Sequence, residues 1–406
     1  MENNSVKQAL ITRGVTIRCP ESVDIDASIN PQRIAPDTTI HSGCRISGEH
    51  TSLGPGSVLG AEAPVTLHNG QIGKNVHLKG GFFSDTTLMD GVALGSGAHV
   101  RGGTLIEENA SCAHTVGLKQ TILMPYVTLG SLINFCDCIM AGGTGPKNHS
   151  EVGSSYIHFN FTAHQDKATP SMAGEVPQGV MLDQPPIFLG GQGGLVGPTR
   201  LAYGTILAAG TICRRDVLNR GKLVFGQTGH RIKEVDYDPS IFGDIDRICH
   251  NNFIYIGNLH ALYAWYAQAR PLLTADDIYA QACLEGALQQ LSAAITERLK
   301  RLDQLAEKLS ESLDRSTGTG GTLTNQRRFV EQWSSVAPRL GLSANNSENG
   351  DIATRDAFLL AIQTLGRNDY INAIQALPAD VKSHGTAWLQ SIVDSIESLW
   401  GEIKHG

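Results

Sequence analysis

The chain of 406 residues is predicted to form a β-solenoid, a left-handed parallel β-helix with a C-terminal all-α domain. Three observations predict this fold. Large aliphatic residues recur at a six-residue step over the first half of the chain. Glycine is abundant, at 45 residues, and aromatic residues make up only 6%, which favours tight corners over bulky packing. Beyond about residue 237, apolar residues recur at steps of three and four, the period of an amphipathic helix.

The six-residue step excludes the common periods, because a helix places apolar residues three or four apart and a half-buried strand places them two apart. It is typical of a hexapeptide repeat, in which three hexads complete a triangular coil and one aliphatic side chain per hexad points inward. An all-β sandwich with glycine-rich turns would not hold this step through several runs. The positions that follow it are Ile34, Ile40, Ile46, Leu53, Leu59, Ile72, Leu78, Leu88, Leu94, Val100, Ile106, Cys112, Leu123, Leu129, Phe135, Leu195, Leu201, Leu207 and Cys213.

We expect the β-helix domain to span residues 1–236, with an inserted loop at about 141–186 where the six-residue step is lost. Within the insertion, residues 152–161 keep the pattern of a coil, whereas residues 164–186 are expected to leave the coil stack. Long loops on a rigid scaffold commonly carry function, so the insertion is the first place to look for a site.

Residues 237–406 are expected to form the helical domain. A long helix at about 274–314 would begin at the capping sequence Thr274–Asp277 and carry leucines along one face. A linker at 316–324 and a helical bundle at 325–406 would follow. Charged residues of the long helix are expected on its solvated face; they include Glu297, Arg298, Lys300 and Arg301.

Charge and cysteine usage limit the classes of function. A formal net charge of −7 disfavours non-specific nucleic-acid binding, which needs a basic surface. The eight cysteines form no C-x-x-C pair, and the sequence has neither a secretory leader pattern nor an apolar run of membrane-spanning length. We therefore expect a cytoplasmic protein with reduced thiols, no nucleic-acid partner and no membrane association.

Polar residues able to do chemistry are concentrated in the insertion. His149 and Glu151 would share one face of a strand, so we expect His149 to act as a catalytic base with Glu151 as its partner. His158, which would share a face with Asn160, is the alternative catalytic base. Residues of the insertion expected to contact the substrate are Asn148, Asn160, His164, Asp166 and Lys167.

Two stretches carry a resemblance to a known family: VGSSYIHFNF at residues 152–161 and LGGQGGLVGPTRLAYGTILAAGTICRRDV at residues 189–217. They resemble the acetyltransferase half of the bacterial bifunctional N-acetylglucosamine-1-phosphate uridyltransferase/glucosamine-1-phosphate acetyltransferase. The motifs NFCD, AGGT, DKATPS and PIFLGGQGGLVGP look like a branch of sugar-nucleotide-pyrophosphorylase-like β-helix proteins. The resemblance covers roughly residues 34–217. No glycine-rich nucleotide loop precedes the coils, so pyrophosphorylase activity is not expected.

The resemblance implies a homotrimer with active sites between subunits and an acyl-CoA, such as acetyl-CoA, in the groove between them. Asn160 and Phe161 match the family's Asn-Tyr pair at the amino sugar, with Phe161 in place of tyrosine. The family's catalytic histidine aligns with Asp137, so the base cannot be carried over by alignment. Residues expected to contact the cofactor are Gly191, where the family has serine, and Ala208, Ala209 and Gly210, which match its backbone contact to the thioester. Arginines that could hold the cofactor phosphates include Arg214 and Arg231.

The sequence therefore predicts an acyl-CoA-dependent acyltransferase acting on an amino group of a sugar phosphate or nucleotide sugar, with no metal. Two alternatives stay open. His149, His158 and His164, with Glu151 and Asp166, could instead bind zinc at a subunit interface. The chain could also be a non-catalytic trimeric scaffold or a binding protein for sugar nucleotides.

Overall fold

The computed structural model describes residues 2–226, 234, 236–316, 321–342, 350–365 and 369–405. They form a left-handed parallel β-helix of about eleven coils followed by several helices, so the predicted fold class is confirmed. Within these residues, no helix combines the length and apolarity needed to cross a membrane.

Short parallel strands make up the coils, and only two of them are longer than four residues. They are β1 (Thr16–Ile17), β2 (Asp24–Ile25), β3 (Thr39–Ile40), β4 (Arg45–Ser47), β5 (Ser52–Leu53), β6 (Val58–Leu59), β7 (Val65–His68), β8 (Gln71–Ile72), β9 (His77–Leu78), β10 (Gly81–Ser84), β11 (Thr86–Leu88), β12 (Ala93–Leu94), β13 (Ala98–Val100), β14 (Thr104–Ile106), β15 (Ser111–Cys112), β16 (Gly117–Leu123), β17 (Thr128–Leu129), β18 (Asn134–Met140), β19 (Glu151–Val152), β20 (Ile157–Phe159), β21 (Ser171–Ala173), β22 (Phe188–Leu189), β23 (Gly194–Val196), β24 (Arg200–Leu201), β25 (Ile206–Leu207), β26 (Ile212–Cys213) and β27 (Leu223–Val224).

Most of the helices follow the β-helix in sequence, and a π-helical turn at Trp265–Ala269 joins the third to the fourth. They are α1 (Glu2–Thr12), α2 (Val176–Gly179), α3 (Asp246–Ala264), α4 (Arg270–Leu273), α5 (Ile278–Arg315), α6 (Gly321–Leu340), α7 (Ile352–Gln363), α8 (Tyr370–Gln375) and α9 (Ala379–His405).

Each coil crosses the three faces of a triangular prism. The first face is the sheet β1-β3-β6-β9-β12-β15-β17-β19-β22-β25-β27. The second face carries β2, β4, β7, β10, β13, β20, β23 and β26, and the third carries β5, β8, β11, β14, β21 and β24. The longer β16 and β18 run around the corner between these two faces and join them into one sheet. We name each corner by the faces that it joins.

The aliphatic residues on the six-residue step fill the interior of the prism, as predicted. On the first face, Ile40 stacks on Leu59, which stacks on Leu78, and further along Leu189 stacks on Leu207. All five are fully buried. Because pairing between coils satisfies the backbone amides, one apolar side chain per hexad is enough to close the interior.

Residues at positive φ allow the tight corners. At the third–first corner Gly91 has a φ of +73°, and a Cβ there would lie 2.5 Å from Oδ1 of Asn109 on the next coil. Asn109 has a φ of 58°, a left-handed conformation that asparagine tolerates better than most residues. Gly56 and Asn75 precede them on the same corner with positive φ. Glycine and asparagine therefore alternate there.

The helical domain covers the third face. α5 packs on β5, β8, β11 and β14, while α3 packs on β21 and against α9. A hydrogen bond from the backbone N–H of Gly103 to Oε1 of Gln290, at 3.0 Å, joins the two parts directly. The outward-facing side chains of the third face are buried beneath the helices; they are Gln71, Thr87, Leu105, Ile122, Ile139 and Met172.

The insertion differs from its prediction. Ser171–Ala173 forms β21, which pairs with β18 and β24 and so lies within the coil stack. The expected single excursion over residues 164–186 is therefore wrong, because the stack interrupts it. Residues 160–170 occupy the second–third corner and residues 174–187 occupy the third–first corner, so the polar residues of the insertion lie on different sides of the prism.

The long helix also departs from its prediction. α5 begins at Ile278, with the side chain of Asp277 accepting hydrogen bonds from two backbone N–H groups of the first turn, rather than at Thr274. α6 begins at Gly321, inside the expected linker. The expectation that Arg298 lies on a solvated face is wrong, since this residue is only 1% exposed and is paired with a carboxylate of the β-helix.

Candidate functional site

His149 and Glu151 lie side by side at the third–first corner, where the chain enters β19. Nδ1 of His149 is 2.8 Å from the carbonyl oxygen of Pro146, so this nitrogen carries a proton and donates it. Nε2 lies 3.9 Å from Oε2 of Glu151, and the two side chains are 27% and 50% exposed. A neutral imidazole held in this way has Nε2 available to accept a proton beside a carboxylate.

The loop that carries His149 is tied to the helical domain. Nδ2 of Asn148 donates to Oγ1 of Thr144 at 2.7 Å, and the carbonyl oxygen of Thr144 accepts from Nε2 of Gln375 at 2.5 Å. Asn148 is exposed next to His149. The loop is thus positioned by α8 as well as by its own coil.

His158 points into the prism. It is 3% exposed, its Nδ1–H donates to the carbonyl oxygen of Cys136 at 2.5 Å, and its Nε2 lies 2.8 Å from Oγ of Ser171. Ser171 Oγ also accepts from the backbone N–H of Thr199, so its hydroxyl proton goes to Nε2. Burial lowers the pKa of His158 to about 4. Both ring nitrogens of His158 form hydrogen bonds inside the coil. The predicted role of His158 as a catalytic base therefore does not fit the structure, because neither nitrogen can reach a bound substrate.

Asp137, which the sequence resemblance leads us to expect at the position of the base, lies in a buried ion pair. Its Oδ1 is 2.5 Å from Nη2 of Arg298 on α5, and the two side chains are 9% and 2% exposed. Nδ2 of Asn160 approaches Oδ2 of Asp137 at 3.4 Å. The helical domain therefore closes over this part of the second–third corner, and Asn160 is half-buried there.

The other predicted substrate contacts share the second–third corner. His164 stacks on Phe242, with ring centroids 4.2 Å apart, and is held by the segment leading to α3. Asp166 is 1% exposed and accepts hydrogen bonds from within its own loop. Phe161, at 67% exposure, and Lys167 are the members of this group open to solvent.

The predicted cofactor contacts form a ridge of small residues at the first–second corner, on successive coils. The backbone N–H of Gly210 donates to the carbonyl oxygen of Gly191 at 2.9 Å, and that of Ala208 donates to the next coil at 2.9 Å. Ala209 is an exposed residue, and its backbone N–H has no backbone acceptor within the part of the chain that the structure describes. Small side chains and a free amide suit the close approach of a thioester carbonyl.

The two predicted cofactor arginines do not extend this ridge. Arg214 is exposed at the second–third corner, and Arg231 lies outside the described residues. The predicted site residues are consequently spread over all three corners of a single copy.

The three histidines proposed as zinc ligands are not brought together. His149 is at the third–first corner, His158 is inside the prism, and His164 stacks on Phe242 at the second–third corner. Across the described ranges, no cluster of three or more His, Cys, Asp or Glu side chains is arranged to hold a metal ion.

Large apolar side chains are exposed on the two open faces near the C-terminal coils. On the first face Phe188, Ile206 and Leu223 stack in register, at 38%, 43% and 54% exposure. On the second face Ile157 and Ile212, at 40% and 45%, occupy the same outward column. A contiguous apolar surface of this kind commonly marks a protein–protein contact.

A buried charged cluster between the two domains was missed in the sequence analysis. Tyr266 donates to Oε1 of Glu107, and Arg270 pairs with Glu108 while its guanidinium lies 3.9 Å from the ring centroid of Tyr370. Burial, with Glu108 adding to it, raises the pKa of Glu107 to about 7. The sequence signal was the pair Glu107-Glu108, which follows the inward-facing Ile106 at a corner of the coil. Two adjacent carboxylates at this corner could have indicated basic or hydroxyl partners from another part of the chain.

The fold and this site define a β-helix protein whose third face is closed by its own helical domain. No family model matches the chain. The bifunctional protein GlmU of Geotalea uraniireducens is 27% identical over 213 residues, which are 52% of this chain and 41% of that protein. GlmU of Pelobacter propionicus is 27% identical over 224 residues, 55% of this chain and 43% of that protein. The resemblance predicted from the sequence is confirmed, and the chain spans about two fifths of the length of these relatives.

Solved structures that are similar include acyltransferases of sugar derivatives. LpxA, a UDP-N-acetylglucosamine acyltransferase from Bacteroides fragilis, matches with a TM-score of 0.23 and 21% identity, over 32% of this chain and 52% of that one. A perosamine N-acetyltransferase from Caulobacter crescentus, in complex with CoA and GDP-perosamine, matches with a TM-score of 0.14 and 17% identity, over 39% of this chain and 57% of that one.

Proposed function

We propose that the chain is an acyltransferase that moves an acyl group from an acyl-CoA to an amino group of a sugar phosphate or nucleotide sugar. The observation that carries this proposal is the environment of His149. Its Nδ1–H is fixed on the carbonyl oxygen of Pro146, and its Nε2 faces Glu151 at 3.9 Å on an accessible corner. A histidine in this tautomer is suited to general-base catalysis.

The residues divide the work of acyl transfer as follows. The acyl-CoA would supply an activated thioester carbonyl. His149 Nε2 accepts the proton that the amine loses as its nitrogen bonds to that carbon, and Glu151 stabilises the resulting imidazolium. When the carbon–sulfur bond breaks, the same proton passes to the leaving sulfur. The N–H of Ala209 is the candidate donor to the carbonyl oxygen.

One copy of the chain does not bring these groups together. His149 lies where the chain enters the first face at β19, and Ala209 lies where the chain leaves it after β25, two coils further on. We therefore propose a homotrimer in which the third–first corner of one copy meets the first–second corner of the next. The exposed apolar residues of the first and second faces support this assembly.

Substrate contacts follow from this arrangement. Asn148, exposed beside His149, is proposed to bind hydroxyl groups of the acceptor. Phe161 and Lys167 are exposed at the second–third corner, which lies opposite the first face, so this arrangement gives them no contact with the acceptor at His149. His164 and Asp166 are engaged within the chain, so we assign them to positioning the loop.

The test is a comparison of His149→Gln with the unaltered protein. Purified chains are incubated with acetyl-CoA and either glucosamine 1-phosphate or UDP-glucosamine, and the acetylated product is measured by mass spectrometry. Loss of a general base predicts a rate at least about a hundredfold lower. His77→Gln is the matched control, because His77 is an exposed, outward-facing histidine of the same sheet, four coils away. Equal rates for the two variants would remove His149 from the mechanism.

A non-catalytic binding or scaffold protein is the second candidate. Asp137, at the family's base position, is locked by Arg298, and the alternative base His158 is held inside the coil. This candidate predicts that the unaltered chain binds acetyl-CoA or the nucleotide sugar with no product formed, and that His149→Gln binds equally well.

A further inference from the structure

A cavity lies at the third–first corner, beyond the coil that carries His149. It has a volume of about 290 Å³, and three successive coils contribute to its lining through residues 172–178, 200–203 and 218–220. None of the residues proposed for acyl transfer lines it. The segment that follows β21, which includes α2, forms one wall, so the insertion itself builds this cavity.

Two guanidinium groups line the cavity. Arg200 occupies the outward position of β24, directly above Met172 in the column that the helices cover, and its Nε is buried without a hydrogen-bond partner. Arg220 donates from Nη1 to Oε1 of Gln184 at 2.9 Å and from Nη2 to Oε1 of Gln178. Within the described residues, neither arginine lies within ion-pairing distance of a carboxylate.

The acidic groups nearby form no ion pair with either guanidinium among the described residues. Glu175 lines the cavity; burial raises the pKa of its carboxyl, while the positive charges of Arg200 and Arg220 act in the opposite direction. Asp216 accepts from the backbone N–H of Arg200 at 2.9 Å. On α9, Oε1 of Glu397 lies 2.7 Å from Nε2 of His250. Asp394, on the same helix, acts on Glu175 by charge repulsion, which raises the pKa of Glu175. The hydroxyl of Tyr203 donates to the backbone carbonyl oxygen of Glu175 and not to its carboxyl group.

We infer that this cavity binds the phosphate group of a small phosphorylated metabolite. Arginine presents a planar fork of donors that matches phosphate oxygens, and the cavity brings together two such forks, neither of which forms an ion pair within the described residues. A volume near the lower end of ligand pockets, which run from about 300 Å³ upwards, suits a sugar monophosphate better than a cofactor the size of CoA. Gln178 and the Glu175 carboxyl supply partners for hydroxyl groups. The site does not depend on acyl transfer at His149.

The experiment is calorimetric titration of the full chain with glucose 1-phosphate, with free glucose and with inorganic phosphate. The expected result is binding of the phosphate ester, competition by inorganic phosphate and no binding of glucose. Arg220→Gln is expected to weaken binding at least tenfold, and Arg200→Gln at least as much. Arg215→Gln, an exposed arginine at another corner, is the matched control and should bind within twofold of the unaltered chain.

Arg220 is exposed, so its substitution leaves the fold intact and keeps the test valid even if Arg200→Gln is poorly folded. The inference is overturned by any of three results: no binding of glucose 1-phosphate at millimolar concentration, equal binding of glucose, or the same loss in Arg215→Gln as in Arg220→Gln. Binding of phosphate that Arg220→Gln leaves unchanged would place the anion elsewhere and would also overturn it.

Discussion

Asp137 of the β-helix and Arg298 of the long helix α5 form a buried ion pair, with Oδ1 and Nη2 2.5 Å apart across 161 positions of sequence. Asp137 turns the corner between two faces with a φ of 59°, and its carboxylate is almost enclosed. Nη1 of Arg298 is buried without a partner within the described chain, so the pair is held by a single strong contact. It fastens the helical domain over the second–third corner of the β-helix.

Breaking this pair is expected to destabilise the protein strongly. Arg298→Met leaves the Asp137 carboxylate buried with only the distant amide of Asn160, which should cost about 3–5 kcal/mol. Thermal unfolding followed by circular dichroism measures the effect as a lowered midpoint. The double variant Asp137→Asn/Arg298→Met should recover part of the loss, because no unpaired charge remains.

Arg301→Met is the matched control for the ion pair. Arg301 lies on the same helix, but its partner Glu297 is one turn away on the same surface, so the loss should be about 0.3–0.5 kcal/mol. If Arg298→Met and Arg301→Met lowered the midpoint equally, the interdomain pair would have no special role.

Glu107 is expected to make stability fall as pH rises. Burial raises its pKa from 4.5 to about 7, so on raising the pH the unfolded state loses this proton near pH 4.5 and the folded state keeps it up to about pH 7. The stability that this proton contributes is fully present below pH 4.5 and is lost as pH rises through about 7. The gap between the two pKa values corresponds to about 3 kcal/mol.

The measurement is urea unfolding at pH 5 and pH 8. Glu107→Gln keeps the oxygen that accepts from Tyr266 and removes the titration, so it should be more stable than the unaltered chain at pH 8 and change less between the two pH values. Glu21→Gln, at an exposed position, should match the unaltered chain at both. A pH slope that Glu107→Gln leaves intact would assign the titration to another group.

His158 is expected to act in the opposite direction. Burial lowers its pKa from 6.5 to about 4, so its contribution to stability is present above pH 6.5 and is lost as pH falls through about 4. His158→Gln should be less stable than the unaltered chain at pH 7, where two hydrogen bonds are lost. It should also lose less stability between pH 7 and pH 4. A variant with the full acid sensitivity would show that the histidine is not the titrating group.

The core could be predicted because it depends on local sequence: one aliphatic at every sixth position is enough to define the inward face of each coil. The covered face could also have been predicted. On the third face, Leu105-Ile106, Ile122-Leu123 and Ile139-Met140 place apolar residues on both sides of the strand, which indicates burial on both sides. The helices that cover that face could not be assigned, since their pairing with it spans long stretches of sequence.

The candidate site was predictable only at one pair of residues, and not for the predicted reason, because β19 begins at Glu151 and His149 lies in the loop before it. His149 and Glu151 were placed together by their two-residue spacing, and their side chains approach to 3.9 Å. His158 lies six residues after the inward-facing Val152 and pairs with Leu195, so the six-residue step itself indicates that its side chain points into the coil. Its hydrogen-bond partners Cys136 and Ser171 could not be predicted, because they come from other strands. Arg298 was assigned to a solvated face although it follows Ile295 by three residues and precedes Leu302 by four, which places it on the apolar stripe of α5. Its carboxylate partner could not be predicted from the helix sequence.

The apolar column on the first face is expected to drive assembly. Ile206 lies between Phe188 and Leu223 in register, and all three are exposed in a single copy. Ile206→Asp should leave the fold unchanged, because the side chain is 43% exposed, and should convert an assembled protein into monomers. Multi-angle light scattering on an eluting size-exclusion peak gives the mass directly. Leu360→Asp, at an exposed position of α7, is the matched control and should retain the assembly. If Ile206→Asp keeps the mass of the unaltered protein, the first face is not the contact between copies, and a site shared by His149 and Ala209 of neighbouring chains would lose its structural basis.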